Sequence, residues 1–570
     1  MILALLRVTL LLACSDLKVD YGGAPTSDDG GTTDGGTTDG GTADGGTADG
    51  GSETAAGWAW GEDVPVAEAD VALVGGTTEN DGVSYVITPG DVDGDGISDL
   101  LISAAAATAV IDHTEIPDAG RIFLVHGAAE GWEASMSLAG RPGVQGNEEH
   151  NQLNTRGTLG DVTGDGLADY PVNLGWSASD PPGLPGLVAG GPGASTLRAL
   201  DELDWIAGAD PDATGTFDGL QGLGDIDGDG VGDLLLTDWS TRELVVVHGG
   251  ALDDLASLPS DADLYLTLGE WEVYDSGRGD VTGDGRTDLV LKVAETGRER
   301  FAVLWSPASS TASEGELLED EVSTRFVTTG ELVSGLDLLA DVDGDGIGEL
   351  LFSGEAAGSA GTSASWLVSG ADVTGTEVVV DELGIPVFPA HGGGGLVAVG
   401  DSDGDGLRDM LSERSPLEPT FVREVVLVPG RSGGWGEAME EDAVATSLRI
   451  YESGDSTSGL PDRGLHGDID GDGMDDIVLG AASYDRDGLE DAGQVRIFLG
   501  GTAWPTFLDQ HDADARFHGE VEDALVGHTF EVVDMNGDGF DDVVIGAWNP
   551  LPESEGGATF IFFGQPYSTK

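Results

Sequence analysis

The chain has 570 residues, of which 106 are acidic and only 23 are basic, so its formal net charge is −83 at pH 7. Such an excess of carboxylates argues against nucleic acids and other polyanions as partners, because like charges repel. Cys14 is the only cysteine, so no intramolecular disulfide can stabilise the fold.

The amino-terminal segment ends at that cysteine. Residues 11–14 (LLAC) resemble the lipobox of a bacterial lipoprotein signal, in which a small residue precedes the cysteine. We therefore expect a signal peptide over residues 1–14, lipidation of Cys14, and an exported protein held at the bacterial cell envelope, at the outer membrane or the cell surface. The alternative is an ordinary signal peptide with a chance cysteine, since Arg7 interrupts the apolar run.

Residues 15–57 form a low-complexity segment built from units such as GGTTD and GGTAD. Because it offers few apolar side chains to bury, this composition predicts a disordered tether. The folded part is expected over residues 58–570, as a monomer whose only membrane attachment is the lipid at Cys14.

An acidic loop recurs eight times in the folded part. Each copy has nine residues of the form D-x-[DNT]-G-D-G-x-x-[DE], and successive copies start 55 to 70 residues apart. This spacing is that of a repeated structural unit. We number the loops 1 to 8 by their first residues, which are Asp91, Asp161, Asp225, Asp280, Asp341, Asp401, Asp468 and Asp534.

The loop pattern predicts a cation site in each copy. Side chains at positions 1, 3 and 5 converge on one point, the carbonyl of position 7 can face inward, and the carboxylate at position 9 can close the shell. Because the loops contain no Cys or His, Ca²⁺ is favoured over zinc and copper, and up to eight ions are expected. Mg²⁺ is less well suited, because it dehydrates reluctantly.

The predicted ligands, loop by loop, are Asp91, Asp93, Asp95, Ile97 and Asp99; Asp161, Thr163, Asp165, Leu167 and Asp169; Asp225, Asp227, Asp229, Val231 and Asp233; Asp280, Thr282, Asp284, Arg286 and Asp288; Asp341, Asp343, Asp345, Ile347 and Glu349; Asp401, Asp403, Asp405, Leu407 and Asp409; Asp468, Asp470, Asp472, Met474 and Asp476; and Asp534, Asn536, Asp538, Phe540 and Asp542. Loops 2 and 4 have Thr at position 3, so we expect them to bind Ca²⁺ more weakly than loops 1, 3, 6 and 7.

Strands, rather than helices, are expected on both sides of each loop. An EF-hand would have Glu at position 12 and continue as a helix, but position 12 is Ile102 in loop 1 and Leu236 in loop 3. Short apolar runs follow position 9, and a second run ending in Gly follows in each unit, as in residues 121–127 (RIFLVHG). Both are typical of buried strands.

Four strands in about sixty residues, repeated, are typical of β-propeller blades. We therefore predict an all-β propeller of four-stranded blades, with eight blades as the first expectation and seven as the alternative. The segment Ala69–Gly76 should pair with the last blade and close the ring.

These residues resemble the FG-GAP repeats of the integrin α-subunit β-propeller. The resemblance rests on the acidic loop, on the apolar run that follows it, as in residues 476–481 (DIVLGA), and on the later strand that ends in Gly. It covers about residues 65 to 570 and implies Ca²⁺ ligands at the matching loop positions. The Phe-Gly pair that gives the repeat its name is poorly kept, so the resemblance does not extend to the integrin ligand surface.

Three functions remain open on the sequence alone. No catalytic motif is recognisable, and the nine histidines are scattered, so a surface-anchored binding or adhesion module for a protein or glycan is preferred. The alternatives are a polysaccharide lyase or hydrolase on a Ca²⁺-stabilised propeller, and a purely structural envelope protein. Trp132 and Trp435 lie in Gly-rich segments and are candidate contacts for such a ligand.

Overall fold

Short β-strands make up nearly all of the regular structure in the computed structural model. It describes residues 61, 63–75, 85–111, 113–149, 151–155, 157–174, 185–206, 219–238, 243–250, 264–266, 271–295, 300–305, 324–328, 333–355, 363–388, 396–414, 423–440, 443–450, 466–509, 511–548, 550 and 556–567. Within these ranges the helical elements with described bounds are one single-turn helix, α1 (Val380–Leu383), and three 3-10 turns (Val66–Glu68, Leu200–Glu202 and Gly370–Asp372). The all-β prediction is confirmed. The predicted signal peptide, Cys14 and the predicted tether lie outside the described residues.

The strands, in chain order, are β1 (Asp63–Pro65), β2 (Val71–Val74), β3 (Tyr85–Gly90), β4 (Asp99–Ala104), β5 (Ala109–Ile111), β6 (Thr114–Ile116), β7 (Arg121–Val125), β8 (Ser135–Ser137), β9 (Gly143–Gln145), β10 (Tyr170–Val172), β11 (Gly186–Val188), β12 (Leu197–Ala199), β13 (Trp205–Ile206), β14 (Gly219–Gly224), β15 (Asp233–Asp238), β16 (Glu243–Val247), β17 (Leu264–Leu266), β18 (Trp271–Gly279), β19 (Asp288–Glu295), β20 (Arg300–Trp305), β21 (Thr324–Val327), β22 (Val333–Leu339), β23 (Glu349–Glu355), β24 (Ser363–Ser369), β25 (Glu377–Val379), β26 (Ile385–Pro386), β27 (Val397–Ala398), β28 (Met410–Arg414), β29 (Arg423–Val428), β30 (Thr446–Ile450), β31 (His466–Gly467), β32 (Asp476–Ala481), β33 (Gln494–Phe498), β34 (Phe507–Asp509), β35 (Ala515–His518), β36 (Thr529–Val533), β37 (Asp542–Ala547) and β38 (Ala558–Phe562).

These strands form one sheet around each acidic loop, and we number the sheets by their loops. Their strand orders are β3-β4-β7-β9-β12 in sheet 1, β10-β11-β13 in sheet 2, β14-β15-β16-β17 in sheet 3, β18-β19-β20-β21-β25 in sheet 4, β22-β23-β24-β26 in sheet 5, β27-β28-β29-β30-β34 in sheet 6, β31-β32-β33-β35-β1 in sheet 7 and β36-β37-β38-β2-β8 in sheet 8. A separate hairpin, β5-β6, extends from sheet 1.

Hydrophobic layers lie between successive sheets. One cluster joins Val478 and Phe517 of sheet 7 to Ile545 of sheet 8, and another joins Val544 of sheet 8 to Leu100 of sheet 1. Equivalent clusters lie between sheets 1 and 2, 2 and 3, 4 and 5, 5 and 6, and 6 and 7. Because the central strands are buried on both faces, they have continuous apolar runs rather than an alternating pattern. Stacked, twisted sheets of this kind are the β-propeller fold that the repeats predict.

The amino-terminal strand completes the last sheet, as predicted. Strand β2 pairs antiparallel with β38, with Val71 opposite Ile561 and Val74 opposite Ala558. The side chains of Val71 and Leu73 are fully buried by this pairing. The two ends of the described chain therefore meet in one sheet.

The prediction of four-stranded blades is incomplete, because five of the eight sheets have a fifth strand. In sheets 1, 4, 6, 7 and 8 the outermost strand is β12, β25, β34, β1 or β8, and each pairs in parallel with the fourth strand of its sheet. In each case the added strand comes from the connection that precedes the last antiparallel strand of the following sheet. The added strand covers an edge whose backbone groups would otherwise be unpaired.

Candidate metal centres in the acidic loops

Each acidic loop is a tight turn held by its own carboxylates. In loop 1, Oδ1 of Asp91 accepts a hydrogen bond from the N–H of Gly94 at 2.6 Å, and Oδ2 accepts one from Gly96 at 2.8 Å. The position 5 carboxylate accepts the N–H of position 7 in all eight loops, at 2.8 to 3.0 Å. Positions 4 and 6 have positive φ throughout, a conformation that favours Gly.

The carboxylate at position 9 fastens the loop to the rest of its sheet. In every loop one of its oxygens accepts the N–H of position 2, at 2.6 to 2.9 Å. In six loops the other oxygen accepts the N–H of the Gly that follows the third strand, as Asp99 does from Gly127 at 2.9 Å. Side chains at this position are almost completely buried.

Glu349, at position 9 of loop 5, departs from this arrangement. Its Oε2 accepts the N–H of Val342 at 2.9 Å, but Oε1 is buried and makes no hydrogen bond with any described residue. The residue is only 1% exposed, and its carboxylate lies with those of Asp341, Asp343 and Asp345, with one oxygen from each within 4.8 Å of the others. Burial raises the pKa of Glu349 to about 8. A cation at this point would offset the cost of burying an unpaired carboxylate.

Other loops also bring their acidic side chains together. Comparable groups are Asp91, Asp93 and Asp95 in loop 1, Asp225, Asp227 and Asp229 in loop 3, and Asp401, Asp403 and Asp409 in loop 6. Burial, followed by repulsion from a neighbouring carboxylate, raises the pKa of the position 3 residues Asp93, Asp343 and Asp403, and that of Asp470 to about 6. These donor sets consist of oxygens alone, which suits a hard cation such as Ca²⁺.

Loops 2, 4 and 8 differ at position 3. Thr163 and Thr282 each donate their backbone N–H to the position 9 carboxylate at 2.9 Å. The Asn536 amide donates to Asp538 at 3.1 Å and so directs hydrogens, not oxygens, towards that carboxylate. These three loops therefore have a smaller negative charge than the others.

Three histidines lie beside acidic loops, although none is part of one; one of them, His466, approaches loop 7, with its Nδ1 3.0 Å from Asp475 Oδ1. His126 and His248 each stand just before the Gly that ends the third-strand segment in sheets 1 and 3. His126 Nδ1 lies 3.2 Å from Asp93 Oδ2 and 3.3 Å from Asp99 Oδ1, and His248 Nδ1 lies 3.5 Å from Asp227 Oδ2. The histidines are therefore not all scattered, and the shared His-Gly pair was the sequence signal for this.

The loops also contact one another in sequence. A β-carbon at position 4 of each loop would meet the position 7 side chain of the next loop at 2.3 to 3.2 Å, from Gly94 with Leu167 to Gly471 with Phe540. The same contact joins loop 8 to loop 1, where Gly537 faces Ile97 at 2.9 Å. Backbone hydrogen bonds follow this path, for example from Ala168 to Asp91 at 2.8 Å and from Ala128 to Met535 at 3.0 Å. Position 7 thus has a packing role besides the predicted carbonyl ligand.

The proposed exposed tryptophans are in fact packed. Trp435 is only 7% exposed and belongs to the hydrophobic layer between sheets 5 and 6. Trp132 donates its indole N–H to Ala128 O at 2.7 Å and packs edge-on against Phe563. Both side chains stabilise the fold and are poor candidates for stacking on a ligand.

Comparison with known proteins agrees with this geometry. Residues 463–498 match the FG-GAP repeat family. Over 105 residues the chain is 38% identical to integrin alpha-PS2 of Drosophila melanogaster, a match that spans 17% of this chain and 7% of the integrin.

Among solved structures, the chain is similar to the Dos1 propeller, with a TM-score of 0.40 and 6% sequence identity, covering 87% of this chain and 96% of that one. It is also similar to rhamnogalacturonan lyase YesW, with a TM-score of 0.33 and 13% identity, covering 90% of this chain and 92% of that one. No membrane-crossing helix is found among the described residues. By the family match, residues 463–498, which contain loop 7 and strands β31 to β33, are an FG-GAP repeat, and the stacked sheets of the chain place this repeat in a β-propeller, as the sequence resemblance implies.

Proposed function

We propose that this chain is an eight-bladed, Ca²⁺-stabilised propeller that acts outside the cell as a binding or adhesion module for a protein or glycan. The ions would occupy the acidic loops and fix the geometry between the first and second strands of each blade. Their role is structural, because each loop brings its own oxygen ligands and leaves little open coordination.

Glu349 is the observation that carries the calcium proposal. A buried carboxylate oxygen without a hydrogen-bond donor among the described residues, grouped with three further carboxylates, is costly unless a cation is present. The residues that would hold the ion in loop 5 are Asp341, Asp343, Asp345 and Glu349. Bound there, Ca²⁺ would supply the positive charge that the group lacks.

Eight blades are supported by the contacts between loops. The packing of position 7 on the preceding position 4 passes through all eight loops and returns from loop 8 to loop 1. A ring of seven blades would leave one of these loops outside the circle.

The binding role and the location outside the cell rest on separate observations. They derive from the similarity to integrin alpha-PS2, which is limited to 105 residues, and from the predicted signal peptide and lipid anchor at Cys14. A rigid propeller presents broad loop surfaces that suit recognition of a macromolecule.

Calcium titration of the full chain tests the metal part of the proposal. We expect several Ca²⁺ ions to bind, and EDTA to lower the thermal midpoint and to expose the protein to protease. At a free Ca²⁺ concentration 100-fold above the Kd, each site adds about 2.7 kcal/mol of stability. An unchanged midpoint and unchanged protease resistance in EDTA would refute a structural role for Ca²⁺.

The binding role needs a separate experiment. The full chain, with and without Ca²⁺, would be screened against immobilised glycans and intact cells, beside a lyase assay on acidic and neutral polysaccharides. Saturable binding that is lost in EDTA supports a binding module. Polysaccharide cleavage without stable binding would favour the enzyme alternative instead.

A further inference from the structure

An imidazole faces acidic loop 1 from the end of strand β7. The side chain of His126 is 25% exposed, whereas that of Asp99 is fully buried and that of Asp93 is 26% exposed. Nδ1 of His126 is a buried atom, 3.2 Å from Asp93 and 3.3 Å from Asp99, and neither contact has the geometry of a hydrogen bond. One nitrogen and two carboxylate oxygens therefore surround one point.

The other ring nitrogen of His126 has a partner of its own. Nε2 lies 3.3 Å from Oγ of Ser195, which comes from the segment just after sheet 2's second described strand. If Nε2 donates to that hydroxyl, Nδ1 is the unprotonated nitrogen and its lone pair points at the carboxylates. A second partner that fixes the ring tautomer in this way is typical of metal-binding histidines.

The distances suit coordination of a small divalent ion. Ligand atoms bound at about 2.0 to 2.2 Å in a tetrahedral or octahedral shell stand about 3 to 3.5 Å from one another. Asp99 already accepts hydrogen bonds from Val92 and Gly127, but each carboxylate oxygen has a second lone pair for an ion.

We propose that His126, Asp93 and Asp99 form a mixed nitrogen and oxygen site for a divalent transition-metal ion such as Zn²⁺ or Mn²⁺. This goes beyond the calcium proposal, because Ca²⁺ selects oxygen ligands whereas imidazole suits Zn²⁺ and its neighbours in the first transition row. It does not require that any other loop bind Ca²⁺. Loop 1 would then carry a different metal preference from the all-oxygen loops.

Neighbouring sheets provide internal comparisons. In sheet 2 the residue that matches His126 is Ala189, just before Gly190, so loop 2 has no nitrogen donor at this place. In sheet 3 the matching residue is His248, whose Nδ1 lies 3.5 Å from Asp227 Oδ2. We therefore expect a stronger transition-metal preference in loop 1 than in loop 2.

The competing explanation is a protonated imidazole paired with two carboxylates and no metal. Asp99, followed by Asp93, favours the charged ring and raises the pKa of His126, although burial opposes this. Such an ion pair would use the same three side chains, so metal binding itself has to be measured.

The experiment uses the full chain, stripped of metal with a chelator that is then removed, so that no Ca²⁺ competes for Asp93 and Asp99. Zn²⁺ is titrated by calorimetry into the natural protein, into His126→Gln, and into His113→Asn as the matched control. His113 lies on the exposed β5-β6 turn with φ of 67°, which Asn tolerates. We expect His126→Gln to weaken the tightest Zn²⁺ site by on the order of tenfold or more, and the control to leave it unchanged.

A second measurement detects the imidazole of His126 by spectroscopy in a chain that keeps this residue. It therefore does not depend on whether the His126→Gln variant folds. Mn²⁺ bound to a His248→Gln chain should show magnetic coupling to an imidazole nitrogen, and His126→Gln in that background should remove it. Equal Zn²⁺ affinity in His126→Gln, or Mn²⁺ without nitrogen coupling in the His248→Gln chain, would overturn the proposal and leave the ion pair as the explanation. Failure of Ca²⁺ binding would refute the calcium proposal without affecting either readout.

Discussion

A β-carbon on Gly500 would stand 2.8 Å from the carbonyl oxygen of Asp475 in acidic loop 7. The N–H of Gly500 donates to Asp476 Oδ1 at 2.8 Å, so the glycine cannot move away without losing the bond that fastens the loop. Gly500→Ala should therefore lower the free energy of unfolding by about 1 to 3 kcal/mol, measured by urea denaturation in Ca²⁺.

The adjacent glycine supplies the control for that change. A β-carbon on Gly501 would meet no atom within 4 Å, although its N–H also bonds to the backbone, at Ser402 O. Gly501→Ala should change stability by less than about 1 kcal/mol. Equal losses in the two variants would mean that close approach to loop 7 is not what requires Gly500.

Glu349→Gln should separate calcium binding from folding. With its pKa raised to about 8, Glu349 is largely protonated near neutral pH in the absence of a cation, and Gln has a similar shape without a charge. We expect a change of less than about 1 kcal/mol in the free energy of unfolding in EDTA. In saturating Ca²⁺ the variant should lose the contribution of one site, about 2.7 kcal/mol at 100-fold excess over the Kd.

Asp542→Asn is the contrasting variant at the same loop position. Both oxygens of Asp542 accept backbone hydrogen bonds, from Met535 and Gly564 at 2.8 Å each, and an amide can accept only one of them. This change should cost about 1 to 3 kcal/mol in EDTA as well as in Ca²⁺. If Glu349→Gln showed the same calcium-independent loss, Glu349 would hold the loop through hydrogen bonds alone and would not be a cation ligand.

Sequence alone predicted the loops but not what surrounds them. The oxygens of Asp91, Asp93 and Asp95 are local to one turn, so the spacing of carboxylates identified them. The bond from Gly127 to Asp99 depends on how strand β7 pairs with β4, and the contact of Ile97 with Gly537 depends on ring closure between distant segments. No local pattern encodes such contacts.

Contacts between distant segments also explain why the predictions failed for two tryptophans and for the fifth strands. Trp132 and Trp435 lie next to glycines in the sequence, which indicated exposed loops, but packing between sheets buries them wholly or in part. The parallel fifth strands are only three residues long and belong to the connections, so strand propensity could not identify them.

Metal-free protein should lose stability as the pH rises. Burial raises the pKa of Asp476 to about 8 and that of Asp542 to about 7, from a usual value of 3.8. Between the unfolded pKa and the folded pKa values, the folded chain holds protons on these carboxyl groups that the unfolded chain has released. The stabilisation that these protons give is therefore complete below the unfolded pKa, and it is lost as the pH rises through the folded pKa values.

The measurement for this prediction is the thermal midpoint in EDTA at several pH values from 5 to 8.5. We expect the midpoint to fall across this range, and the fall to be smaller in Asp542→Asn, which cannot take part in the titration. Saturating Ca²⁺ should reduce the effect, because bound cations favour the ionised carboxylates. A midpoint in EDTA that rises with pH would contradict the raised pKa values.

Closure of the last sheet by strand β2 should be essential for folding. Val64, Val66, Val71 and Leu73 are almost fully buried, and burial of four such side chains contributes about 6 to 12 kcal/mol. This range is comparable to the whole stability of many domains. Deletion of residues 1–75 should therefore give an aggregated or unfolded chain by gel filtration and circular dichroism, whereas deletion of residues 1–60 should leave the fold intact.

A synthetic peptide spanning residues 59–76 gives the decisive control, since it supplies β1 and β2 in trans. Strand β1 brings Asp63, which accepts two hydrogen bonds from Arg486 at 2.9 and 3.0 Å, besides the pairing of β2 with β38. Added during refolding of the chain that lacks residues 1–75, the peptide should restore soluble protein, and a Leu73→Asp peptide should not, because an unpaired charge would be buried against β38. Equal rescue by both peptides, or normal folding without any peptide, would show that the ring is stable without this closing strand.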